Sequence, residues 1–281
     1  MDREQNRLTD NFHGNLAGES GKLFVALQAV WSQYPDKTTS KDLESLTDLG
    51  VKMRPAYLNW LRGFGLATSA PKGGGVVPTE FGKLVAESKL LEGSDVQWLM
   101  HYFMAAPSGP GPQFWHDAVC HFSALRAPFT KTDWTDYFNS RPVVADSVEK
   151  QWPRFRDAYV SEMLSNLRLI RVMGNSGSDL EFDPPIRRCG ANVFACVLID
   201  HWMVHWSDLV SVEIERLFED GGIADVMLLT RDDVDEYLGE LASHGLVDVF
   251  RIAPPYQITR RWTDHEEQFN EQLKVMFDAQ S

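Results

Sequence analysis

The sequence is short of several things, and each shortage excludes a class of protein. Three cysteines among 281 residues, Cys120, Cys189 and Cys196, are too few and too odd in number for a disulfide framework. No uninterrupted apolar run reaches the ~18–20 residues that span a bilayer. The segment MDREQNRLTDNFHG is charged and lacks the apolar stretch of a secretory signal. The expectation is a cytoplasmic protein with no membrane anchor. Catalytic signatures are missing too: there is no P-loop, no GxSxG, no dinucleotide fingerprint, no CxxC and no HExxH. Gly73-Gly74-Gly75 lacks a following Gly-Lys-Ser/Thr. Glu213 and Glu215, two apart, would face different ways on a helix, so a magnesium site shared with Asp200 is weakly supported. Imidazoles at helical spacing (His116 and His121 flanking Cys120, His201 and His205) suit zinc, but an aromatic-histidine core explains all of them. No metal, no cofactor and no enzymatic activity are expected.

Positive charge is scarce in one region. Residues 191–281 carry 6 Lys/Arg against 18 Asp/Glu, almost the whole net charge of −13. Residues 1–93 balance at 11 and 11, and residues 131–190 at 9 and 9. Phosphate contacts dominate nucleic-acid affinity, so a DNA surface belongs in the first two-thirds. The acidic last third suits solvent or a basic partner protein, or the first part of another copy of this chain, which would make a homo-oligomer.

Aromatic residues are present in number, 9 Trp and 16 Phe, enough for packed cores and against disorder. Residues 1–20 read as a loose polar lead-in. Leu23, Phe24, Leu27, Val30 and Trp31 have helical spacing and predict a helix over 21–33. Thr39-x-x-Asp42 resembles a capping box that opens a short helix to Leu46. A turn at 48–51 precedes a helix from about Pro55 to Gly65. ATSAPKGGGVVPT predicts a hairpin with a Gly-rich tip, and Thr79 caps the helix EFGKLVAES. Helix, short helix, turn, helix and hairpin is the order of a winged helix-turn-helix.

The pattern recurs. Leu61…Leu66-Ala67, Leu164…Leu169-Ile170 and Leu241…Leu246-Val247 share the form Leu-x4-Leu-apolar. Tyr57 and Tyr237 stand four residues before the first Leu, and Tyr159 stands five before. Thr-x-x-Asp occurs at Thr39, Thr130 and Thr230, although the third would open the second helix of its unit. The expected fold is mainly α, with tandem winged helix-turn-helix-like units near 35–92, 129–186 and 211–262 packed around apolar helices and bearing short β-hairpin wings. QWLMHYFMAA, FWHDAVCHFSAL and CGANVFACVLIDHWMVHW are the apolar helices. The expected domains are 1–128, 129–189 and 190–281.

The order LTDLGVKMRPAYLNWLRGFGLA, VVPTEFGKLV, QWLMHYFMA resembles the prokaryotic domain of unknown function DUF4007 over roughly residues 20–175. Trp98 and His101 match the family's tryptophan and the histidine after it. Where the family has a WLxKG-like stretch, this chain has GKLFVALQAVW. Genes of that family lie beside DNA phosphorothioation and other phage-defence genes. The resemblance implies a defence setting and supplies no reaction and no catalytic residue.

The candidate double-stranded DNA contacts are Lys52, Arg54, Asn59 and Arg62 on or beside the second helix of the first unit, and Lys72 on its wing. Lys150, Arg154 and Arg156 join them from the second unit, where Arg168 and Arg171 also cluster. Cations and amides of this kind suit phosphate and base-edge hydrogen bonds. The expected function is a non-catalytic component of a phage-defence or DNA-modification system. It would engage DNA or a DNA-bound partner, with other defence-system proteins as partners. A protein-interaction scaffold without DNA contact is the alternative.

Overall fold

The computed structural model describes residues 7–9, 12–13, 18–71, 73–123, 128–141, 148–173, 179–182 and 189–280. It is mainly helical with small antiparallel sheets. The chain divides into two compact units, Met1–Arg187 and Arg188–Ser281. Among the described residues no helix is long and apolar enough to cross a membrane.

In the first unit, α1 (Ser20–Gln33) buries Leu23, Ala26, Leu27 and Val30, an apolar stripe at i, i+3, i+4 and i+7. Thr38 makes an isolated antiparallel bridge to Val76 and leads into α2 (Asp42–Leu46). Helix α3 (Met53–Gly63) tolerates Pro55 because it lies in the first turn, where backbone N–H groups have no intrahelical acceptor. It buries Tyr57, Leu58, Trp60 and Leu61. Strands β1 (Ala67–Ser69) and β2 (Val76–Pro78) form the hairpin. The Thr79 hydroxyl accepts from Gly82 N–H at 3.0 Å and opens α4 (Glu80–Ser88). Next, α5 (Ser94–Ala105) buries every residue from Val96 to Ala105.

The predicted helix FWHDAVCHFSAL is only partly α-helical. One turn, α6 (Gln113–His116), runs into a π-helical turn over Asp117–Phe122. Strand β3 (Phe129–Thr130), α7 (Lys131–Asn139), α8 (Val148–Val160), a 3₁₀ turn (Ser165–Leu167), β4 (Ile170–Met173) and β5 (Asp179–Phe182) complete the unit. Their sheet has the order β3-β5-β4. An aromatic core binds these elements together. Trp60 meets Trp115 at 5.9 Å, and Trp134 meets Trp152 at 5.4 Å and Phe155 at 4.8 Å. At its centre the Tyr159 hydroxyl accepts from Trp115 Nε1–H at 3.0 Å and lies 2.7 Å from His101 Nδ1. His101 and Trp98 are thus core residues in edge contact at 5.6 Å.

The second unit holds α9 (Ala191–His205), β6 (Ser211–Glu213), a 3₁₀ turn (Ile214–Phe218), α10 (Ile223–Val226), α11 (Arg231–Ser243), β7 (Val247–Phe250), β8 (Gln257–Arg260) and α12 (His265–Asp278). Its sheet order is β6-β8-β7. The apolar α9 packs along α12 and also meets α11 and α10. Phe194 on α9 stacks on Tyr237 of α11 at 4.7 Å, and the Tyr237 hydroxyl donates to Cys189 O at 2.7 Å.

One arrangement occurs three times. A lead-in strand or bridge (Thr38, β3, β6) pairs with the second strand of a hairpin that follows two α-helices. The three Leu-x4-Leu stretches mark the junction into that hairpin, since β1, β4 and β7 start one residue after Leu66, Leu169 and Leu246. Leu61, Leu66, Leu164, Leu169 and Leu241 are buried, and Leu246 is half-buried. The residue before each second Leu is left-handed: Gly65 at φ 70°, Arg168 at φ 53° and Gly245 at φ 74°. A left-handed residue at a helix end lets the chain reverse while the next N–H caps a free carbonyl. Accordingly Leu66 N–H bonds Leu61 O at 2.9 Å, and Leu246 N–H bonds Leu241 O at 3.0 Å. The middle copy reaches the same turn after a 3₁₀ segment, and a wider turn between Tyr159 and Leu164, where Glu162 N–H bonds Asp157 O five residues back at 2.9 Å, goes with its tyrosine standing one residue further back. All three Thr-x-x-Asp pairs bond reciprocally, with the Asp carboxylate accepting from the Thr backbone N–H at 2.8 Å in each.

Candidate nucleic-acid interface

The predicted cations and amides take up distinct positions. Lys52 is exposed just ahead of α3. Arg54 is drawn inward: its side chain is 13% exposed, Nε donates to Leu49 O at 2.8 Å, and a terminal nitrogen lies 3.2 Å from Glu44. It braces α2 against α3. Asn59 donates to Phe12 O at 2.8 Å and accepts from Arg62 at 3.4 Å. Lys72 lies outside the described residues. Lys150 is exposed on α8. Arg154, one turn on, donates back to Lys150 O at 3.0 Å. Arg156 pairs with Asp157 at 2.9 Å. Arg168 serves the left-handed junction, and Arg171 pairs with Glu181 at 3.3 Å across β4 and β5.

Two of the expected clusters meet at one place. The segment Phe12–His13 is not a loose lead-in; it sits against both α3 and α8. Phe12 packs edge-on to Trp60 at 4.6 Å, and its carbonyl takes the Asn59 amide. His13 is fully buried and lies 2.7 Å from Gln151 Oε1 on α8. Asn59 and Arg62 therefore stand on one side of this segment, with Gln151 and Arg154 on the other. The polar stretch from Met1 to Glu19 hid this role; Phe12 beside His13 was the signal that a buried anchor stood there.

Burial shapes the electrostatics. It lowers the pKa of His13, the positive charge of Arg154 lowers it further, and the Gln151 hydrogen bond partly offsets both. His13 is therefore neutral near pH 7. Desolvation also lowers Arg62 and Arg154, yet guanidiniums stay charged at neutral pH. A partly dehydrated cation interacts more strongly with an approaching anion than a fully hydrated one. The arrangement offers donors and positive charge suited to holding phosphates or base edges.

The second unit has the opposite character. Three of its arginines are tied to carboxylates: Arg231 to Glu215, Arg251 to Asp235 at 2.6 Å and Arg261 to Asp248; Arg260 bonds the carbonyls of Leu209 and Trp262. On α11, Asp233 is used in the Thr230 cap, while Asp232, Glu236 and Glu240 leave the helix strongly acidic. His201 and His205 on α9 pack tilted at 4.3 Å, with Trp206 edge-on to His201 at 4.7 Å, which is an aromatic arrangement.

No family model and no curated protein matches this chain. Two crystal structures of a protein named SspB are similar to it. One, bound to a magnesium ion, gives a TM-score of 0.74 at 18% identity over 96% of this chain and 88% of the other. The second gives a TM-score of 0.75 with the same identity and coverage. At this identity the likeness is one of fold.

Proposed function

We propose that this chain is a non-catalytic component of a prokaryotic phage-defence or DNA-modification system. It engages double-stranded DNA, or a partner already on DNA, through winged-helix units of its first part. The observation that carries this reading is the meeting of Asn59 and Arg62 of α3 with Gln151 and Arg154 of α8 at Phe12–His13. The repeated lead-in strand, helices and hairpin support the winged-helix assignment. Lys52 stands at the N-terminal end of α3, the end by which a recognition helix enters a major groove. The resemblance to DUF4007 supplies the defence setting, and other proteins of such a system are the expected partners.

The test is duplex-DNA binding by fluorescence anisotropy across a salt series, with magnesium present because one similar structure carries that ion. Lys52→Glu with Lys150→Glu, both exposed, should weaken binding. The slope of log affinity against log salt should fall by about 0.9 for each phosphate that is no longer neutralised. Unchanged affinity and slope would remove this surface as the DNA site. Nicking of supercoiled plasmid under the same conditions would overturn the non-catalytic assignment.

The scaffold reading has one observation of its own. The acidic second unit exposes apolar side chains at Leu209, Val210, Phe250 and Ile252, the last almost fully. Exposed apolar groups on a strongly acidic unit suit a basic protein partner better than a phosphate backbone.

A further inference from the structure

The π-helical turn over Asp117–Phe122 has a chemical consequence. In an α-helix five residues make about 1.4 turns, so rings five apart point to different sides. In an i→i+5 turn five residues complete roughly one turn. Ser123 N–H bonds Ala118 O at 3.1 Å in that register. His116 and His121 are thereby brought to one side, with ring centroids 5.3 Å apart. Asp117 joins them, its Oδ1 3.3 Å from His121 Nδ1. Among the described residues, one ligand atom from each of His116, Asp117 and His121 lies within 4.8 Å of the others.

We propose that His116, Asp117 and His121 bind one divalent transition-metal ion of the zinc class. Two imidazoles and one carboxylate are a ligand set that zinc accepts with a further position left for water. Magnesium prefers an all-oxygen shell, so this set selects against it. Outer contacts are in place. His116 Nδ1 lies 2.7 Å from Ala105 O, a bond that leaves the ring's lone pair on Nε2 and fixes its orientation. Gln113 Nε2–H donates to Asp117 Oδ1 at 2.9 Å. Arg7, held by the carbonyls of Gly111 and Pro107, adds positive charge near His116, which Asp117 offsets. Ligand atoms around a tetrahedral zinc stand roughly 3.3 Å apart, so binding draws the three together. The His121 ring, 23% exposed, provides the freedom to move and the route of entry.

The full chain, stripped with chelator, is titrated with Zn²⁺ against a chromophoric competitor, and with Co²⁺ by visible absorption. One equivalent should bind, with a cobalt spectrum of nitrogen and oxygen ligation. His121→Ala and Asp117→Asn should each weaken binding about tenfold or more, while His205→Ala leaves it unchanged. Melting of the chelated variants like the parent shows that folding is intact; His121→Ala, at a partly exposed position, is the variant that keeps the test alive if Asp117→Asn unfolds. Absence of stoichiometric binding, binding indifferent to both variants, loss of binding on His205→Ala, or Mg²⁺ binding as tightly as Zn²⁺ would overturn the proposal.

Discussion

The three helix-to-strand junctions allow a graded mutational test. Gly65, Arg168 and Gly245 occupy the same left-handed position in three copies, but their surroundings differ. An L-residue in this conformation costs about 1–2 kcal/mol, and losing glycine's unfolded-state freedom returns about 0.4–1 kcal/mol. A Cβ on Gly245 meets nothing within 4 Å. Gly245→Ala should therefore cost only about 1 kcal/mol. A Cβ on Gly65 would lie 2.6 Å from Phe103 Cγ. Phe103 is buried and packs against Phe81 at 6.1 Å, so it cannot retreat freely. Overpacking of this kind adds roughly 1–3 kcal/mol, which puts Gly65→Ala near 2–4 kcal/mol. Arg168 is exposed and already bears the left-handed strain, so Arg168→Gly should be neutral or stabilise by up to about 1 kcal/mol. Urea unfolding followed by tryptophan fluorescence reads the shift in midpoint at constant slope. Equal damage from Gly65→Ala and Gly245→Ala, or clear destabilisation by Arg168→Gly, would refute the assignment of one shared junction.

Two further outcomes follow from single side chains. Burial, with the charge of His205 adding to it, pulls His201 down to about 3. A base whose folded pKa is depressed gives stability that is fully present above the unfolded value of ~6.5 and is lost as pH falls below it, toward 3. Between pH 7 and pH 5 this should remove roughly 2 kcal/mol, and His201→Leu should flatten that part of the stability–pH curve; an unchanged slope would show that another group controls it. Thr130→Ala and Thr230→Ala each break a reciprocal cap and should cost about 1 kcal/mol by urea unfolding, whereas Thr135→Ala, at a half-buried mid-helix site whose hydroxyl only bonds back to Lys131 O, should cost far less.

What was legible in the sequence was set within a few residues. The Thr-x-x-Asp caps close over three residues, the Leu-x4-Leu junctions close over five, and the stripes of α1 and α3 follow the helical period, so the letters alone located them. The concentration of acid in the last third was equally plain, because charge is counted without coordinates. Tertiary structure decided the rest, where partners lie far apart in the chain. Asn59 reaches Phe12 across 47 residues, and Gln151 reaches His13 across 138. No local pattern marks such pairs, so two separate basic clusters and a polar lead-in gave no sign of meeting at one place. Arg54 looks like a free cation in the sequence, and only the fold sets Glu44 against it. The π-helical turn is the sharpest case: FWHDAVCHF reads as ordinary helix, because helical propensity is a property of residues while a shift from i+4 to i+5 bonding is imposed by the packing around it. That shift alone moves His116 and His121 from different sides of a helix to the same one.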